Sequence, residues 1–135
     1  MRLALPYANF SVTAMVLSED HLYWNLEAAR WAMSATRGVL IGYQHHPTVI
    51  AWQNWQLALG LLHDVHVREY LRRGHSYAHP SQVMELGEDV PPLPGYQPPP
   101  WLGKFKYHAE ERMVLMQRDP EHYSQWGWTE EPGRV

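Results

Sequence analysis

Glu27 stands mid-way along a helical stretch among apolar neighbours, with His21 before it and Arg30 three residues after. A carboxylate in a partly apolar setting can serve as a general base. The same spacing equally makes an exposed Glu27–Arg30 pair that contributes little. His63 and His66 are three apart, and His75 and His79 four apart, spacings at which imidazoles can share an ion. No Glu is placed as in H-E-x-x-H and no third ligand is obvious. They read as surface or boundary histidines, with no metal and no cofactor expected. Lys104 and Lys106 open the last helix, the wrong end for a cation in the helix dipole. Arg112 and Arg118 follow, interleaved with Trp101, Phe105, Tyr107 and His108. Cations at a helix start suggest an external anion, phosphate first; a solvated helix with snorkelling lysines is the plainer alternative. Arg68, Arg72 and Arg73, offset by Glu69, lie where cations simply answer a helix C-terminus. No Gly-rich phosphate loop, nucleophile elbow or kinase signature is present.

The elements that must carry these groups are helices. Ser18-Glu19-Asp20 has a capping hydroxyl and two acids at the positive end of a dipole. Leu22, Leu26, Ala29 and Met33 then follow at helical steps, and Arg37-Gly38 closes the helix. A short turn of helix is expected before it, near Ser11 to Leu17. His45-His46-Pro47-Thr48 opens a second helix with Pro47 near its first position. Trp52, Trp55, Leu59, Leu62 and His66 keep one face as far as Arg73, and Gly74 stops it. The pattern predicts one unbroken helix of about 26 residues, about 39 Å long. Residues 78–101 contain seven prolines, which no regular helix or central strand tolerates. They read as an ordered loop anchored by Leu93, Tyr96 and Trp101, or else as a spacer. A last helix runs roughly from Gly103 to Arg118 and ends at Asp119-Pro120. The tail, residues 121–128, is aromatic enough to pack back onto the helices.

The expected fold is therefore mainly α: a compact single domain over residues 1–135, three helices, a long proline-rich loop and an aromatic C-terminal tail. A chain of 135 residues can bury a core without staples. Zero cysteines exclude disulfides, thiolate zinc sites and cysteine nucleophiles, and suit the cytoplasm. Eleven Lys+Arg against fourteen Asp+Glu give −3 with the nine histidines neutral. That balance excludes blanket attraction to nucleic acid but not a local basic site. No apolar run reaches the roughly 18 residues of a membrane span, and Met1 to Phe10 do not read as a signal peptide. Seven Trp and eight Tyr against two Phe favour rings that pack with a polar tip outward or stack on bases.

Three stretches together carry a resemblance. They are His21-Leu22 after Ser18-Glu19-Asp20; His46-Pro47-Thr48-Val49 opening a helix that ends Tyr70-Leu71-Arg72-Arg73-Gly74-His75; and Pro99-Pro100-Trp101-Leu102-Gly103, then His108 and Arg112, then Arg118-Asp119-Pro120-Glu121-His122-Tyr123. In order and spacing the chain resembles the pyrimidine-dimer DNA glycosylases, the endonuclease V type of phage and bacteria, over nearly its whole length. The resemblance implies a compact three-helix fold and cleavage of the glycosidic bond at pyrimidine dimers. It also implies a terminal α-amine that attacks the sugar and forms a Schiff base, a glutamate on the first helix, and strand cleavage by β-elimination. An α-amine has a pKa near 7.7–8, so a useful fraction is nucleophilic at neutral pH. Carried onto this sequence, the catalytic set is Met1, Glu27 and His21. Arg2, Arg30, His46, Lys104, Lys106 and Arg112 form the DNA-contacting set.

The chain departs from the family pattern at four points, one being Leu22-Tyr23-Trp24-Asn25-Leu26 where the actinobacterial relatives carry a basic, glutamine-containing stretch. Arg2 follows Met1 where the phage enzyme has a small residue, so the amine is expected to stay on Met1. Aligning His21-Leu22 puts Ala28 at the glutamate position, with Glu27 one residue, or 100° of helix, away. The chain is also acidic where the phage enzyme is strongly basic. Two readings follow. One is a DNA glycosylase and abasic-site lyase acting on damaged or modified duplex. The other is a family member without catalysis that binds nucleic acid or a protein partner.

Overall fold

The computed structural model describes residues 3–37, 45–82 and 96–130. All its regular structure is helical. Three long helices, α2 (Glu19–Thr36), α4 (Gln56–Arg72) and α5 (Phe105–Arg118), are accompanied by three short ones, α1 (Phe10–Val16), α3 (Pro47–Trp52) and α6 (Pro120–Tyr123). Met1, Arg2, Gly38 and Leu93 lie outside the described residues.

The expected local signals operate as physics requires. The Ser18 hydroxyl accepts from the His21 amide, and Glu19 and Asp20 occupy the first turn of α2. Leu22, Leu26, Ala29 and Met33 are all buried and face α4, whose Leu59, Leu62 and His66 are buried in turn. His46 caps α3 through its ring, which accepts from the Thr48 amide, and Pro47 takes the first helical position, where a missing N–H costs nothing. Gly74 ends α4 at φ +94°, a conformation that side chains with a Cβ resist.

The single 26-residue helix expected from His45 to Arg73 is cut in two. Gln53 and Asn54 form a turn, the Trp55 amide bonds back to the Trp52 carbonyl at 2.9 Å, and Trp55 leaves helical geometry at φ −129°. Asn and its neighbours release a helix readily. The break redirects the chain so that Trp52 meets Trp101 edge-on, with centroids 5.0 Å apart, while α4 stays packed on α2. One hydrophobic face thus serves two helices.

The tail packs back as its aromatic content suggests. Tyr123 is fully buried, its ring stacked on His21 and on Trp128. The indoles of Trp126 and Trp128 donate to the Val16 carbonyl and the Tyr7 hydroxyl. Of the proline-rich stretch, Tyr96 and Trp101 pack against the core. Among the described residues no helix is long and apolar enough to cross a membrane.

Gly74→Ala is expected to lower unfolding stability by about 1–2 kcal/mol, because the new Cβ must adopt a left-handed backbone. Urea unfolding with an unchanged slope and a lower midpoint would show it.

Candidate active site at the chain start

The first described residues, Leu3 to Tyr7, run between α2 and α5 and are tied to both. Asn25 of α2 bonds Ala4 twice: its Oδ1 accepts from the Ala4 amide at 2.8 Å, and its Nδ2 donates to the Ala4 carbonyl at 2.7 Å. The second Nδ2 hydrogen goes to His66 Nε2 at 3.2 Å, and His66 Nδ1 donates to the Leu62 carbonyl at 2.8 Å. Every polar atom of the Asn25 side chain is used. His66 is wholly buried, and burial pushes its pKa down to about 4, which keeps Nε2 an acceptor.

From α5, His108 Nδ1 donates to the Leu5 carbonyl at 2.7 Å while its Nε2 accepts from the Gly103 amide at 2.8 Å. Glu111 Oε1 accepts from the Leu5 amide and the Tyr107 hydroxyl, each at 3.3 Å. Arg112 donates to the Pro6 carbonyl at 2.8 Å. The segment so clamped delivers Leu3 to the wall of an open cleft of about 540 Å³ that His46, Thr48, Trp52, Trp101 and Tyr107 also line. Three of those walls are aromatic rings of Trp and Tyr, and the cleft joins Leu3, the helix α3 with its cap His46, and the start of α5. A larger hollow of about 770 Å³ lies between α1 and α4. Its rim arginines are engaged, Arg68 with Ser11 and Arg72 with Glu69.

The residues singled out by sequence separate into groups. His46 stands in the cleft beside Leu3. Lys104 and Lys106 are exposed at the start of α5, the element that carries the cleft residue Tyr107. Glu27 and Arg30 form a 2.6 Å ion pair, and both adjoin Tyr77, whose phenol burial pushes up to about 12. That Tyr77 hydroxyl donates to His63, which donates to Asp64. Two residues of helix separate Asn25 from Glu27, so their side chains point about 160° apart. Glu27 is therefore on the other side of α2 from the chain start. Ala28, only about 60° from Asn25, is on the chain-start side and is buried.

His21 lines a much smaller hollow of about 30 Å³ together with Ala4, Asn25, Glu111 and Arg118, beside the clamp on the chain start and outside the aromatic cleft. It receives the Tyr123 hydroxyl at 2.6 Å, and burial followed by Arg118 lowers its pKa. Arg112 is turned inward. Its guanidinium holds Pro6, pairs with Glu130 at 2.6 Å and lies over the Tyr7 ring. Burial opposes the Glu130 charge, but Arg112 prevails and holds that carboxyl below its usual range. His63 and His66 have both ring nitrogens engaged by protein groups. No cluster that could hold a metal ion occurs among the described residues.

Sequence reasoning missed Asn25, whose amide looks like any mid-helix polar residue, and Glu111, one acid among several on the last helix. An Asn on a face otherwise made of Ala28, Ala29 and Ala32 was the available signal.

A protein whose described regular structure is all helical, with Leu3 lining an aromatic cleft, is the class these features define. The family model described as pyrimidine dimer DNA glycosylase matches residues 1–83, and the chain belongs to that family. The match covers the chain start and α1 to α4 and stops short of α5. Neither a curated protein nor a solved structure matches the chain.

Two outcomes test the clamp. Asn25→Leu leaves the Ala4 amide and carbonyl without their partner and is expected to cost about 2–4 kcal/mol in urea unfolding. His66 is depressed from 6.5 in the unfolded chain to about 4 when folded. Stability is therefore full above pH 6.5 and falls as pH drops toward 4, by on the order of 3 kcal/mol. The His66→Gln variant should lose that part of the pH dependence, and an unchanged slope would remove His66 as its cause.

Proposed function

We propose that the chain is a DNA glycosylase with abasic-site lyase activity on damaged or modified duplex DNA, working through a Schiff base on the Met1 α-amine. The observation that carries this reading is the family match across a clamped chain start that opens on an aromatic cleft. Two residues of backbone reach at most about 7 Å, so an amine at Met1 can serve the cleft where Leu3 lies. Clamping that segment before substrate arrives removes much of the entropy cost of the attack. The flipped nucleotide is received against the half-buried rings of Trp101 and Tyr107, which Trp52 backs from within, with His46 as a polar partner. Lys104 and Lys106, with Arg2, meet phosphates, a local basic site on a chain of net charge −3.

In this reading the carboxylate comes from α5. The family's glutamate position holds Ala28, and the Glu27–Arg30 pair faces away from Asn25. Glu111 is buried, lines the small hollow beside His21, and touches both the chain-start segment and Tyr107, whose ring walls the cleft. It is the group we assign to proton transfer at the amine and at the sugar. Duplexes carrying a thymine dimer or an abasic site test this through strand cutting. Glu111→Gln is expected to slow cutting about 100-fold and Glu27→Gln by less than about threefold. Equal losses in the two variants, or a loss only with Glu27→Gln, would overturn the assignment.

A second reading is supported by α2, which exposes Tyr23, Trp24 and Trp31. An aromatic face of that kind suits a partner protein, and the chain would then be a binding member of the family without catalysis. Folded protein that binds a partner through this face, yet neither cuts nor forms an adduct with any damaged duplex, would favour it.

A further inference from the structure

Phe105 is 78% exposed, the most of any large apolar side chain among the described residues. Lys104 and Lys106 on either side of it are exposed too. Gly103, at φ +92°, makes the turn that leads into this tip. In sequence the tip lies between two residues that wall the cleft, Trp101 and Tyr107. Behind the Phe105 ring, 5.9 Å from its centroid, is the Arg112 guanidinium, itself fastened to the Pro6 carbonyl and to Glu130. The ring therefore stands on an anchored base and faces water.

An apolar ring between two cations fits a surface on which apolar faces lie between rows of anions. Duplex DNA is that surface: lysines gain from phosphates, and the ring gains only from the faces of bases. A nucleotide drawn into the cleft leaves a gap in the stack, and an apolar side chain entering that gap offsets part of the unstacking cost. We propose that Phe105 is a wedge that enters the base stack beside the nucleotide taken into the cleft, with Lys104 and Lys106 holding the flanking phosphates. The inference rests on the DNA-glycosylase reading above and adds the step that opens the duplex.

The test uses the full chain and a duplex with 2-aminopurine beside a central tetrahydrofuran abasic analogue, which has no aldehyde to form a Schiff base; the 2-aminopurine fluorescence rises when that base unstacks. The wild-type protein is expected to raise the signal several-fold on binding. Phe105→Ala should bind within about threefold of wild type yet leave the signal near that of free duplex, and Phe105→Leu should restore part of it. The Lys104→Ala, Lys106→Ala double variant should bind every duplex more weakly and with a flatter salt dependence. In base-release assays Phe105→Ala should slow the reaction about tenfold or more on paired duplex, but less than about threefold on single-stranded substrate. A purely structural role would slow both alike. Equal fluorescence and equal rates in wild type and Phe105→Ala would overturn the wedge and leave the glycosylase reading standing. A wild-type protein that binds no duplex would overturn both.

Discussion

The double hydrogen bond between Asn25 and the backbone of Ala4 is the constraint on which the rest of the structure turns. The first residues of a chain fray unless something holds them. Here an amide side chain replaces the missing strand neighbour, offering one acceptor and one donor to a single residue. It can do so only while its remaining hydrogen has a buried acceptor, and that acceptor is His66 Nε2. The interior therefore has to keep a histidine uncharged, which full burial accomplishes. A polar network of this kind is stable when every member is satisfied and costly when one is removed. Order at residue 4 is thus bound to the α2–α4 core.

From the opposite side α5 completes the clamp with three carbonyl- or amide-directed groups within two turns of helix, His108, Glu111 and Arg112. The contacts bridge more than a hundred residues of sequence, so the start of the chain and its last long helix are held in one arrangement. Arg112 shows the consequence for binding. A guanidinium that holds a buried carbonyl, an ion pair and an aromatic face would lose all three to meet a phosphate, and leaving those partners unpaired is more costly than an exposed contact returns. The exposed lysines at the start of α5 carry no such burden.

Much of the helical framework was legible in the residues. Caps, proline positions and the Leu22–Met33 stripe are local signals, and each acts within one or two turns. The break at Gln53–Trp55 was not, because Trp52, Trp55 and Leu59 keep a helical period through it, and what separates them is the position of Trp101 almost fifty residues on. The candidate site, cleft and clamp together, was legible only in part. His46 shows itself by its motif, whereas Asn25 and Glu111 acquire meaning only when the chain start is laid between their helices. Glu27 illustrates the converse. Its neighbours look like a catalytic setting in one dimension, but a helix turns 100° per residue, and that rotation sends it to Arg30 and Tyr77.

Family membership, the clamped chain start and the aromatic cleft together support the proposal that chemistry occurs at the amine of the first residue. Borohydride trapping on an abasic duplex, followed by peptide mass mapping of the adduct, tests it most directly. One covalent adduct is expected, on the peptide that begins at Met1, and none when that amine is acetylated. An adduct on a lysine peptide, or equal trapping with the amine blocked, would contradict it.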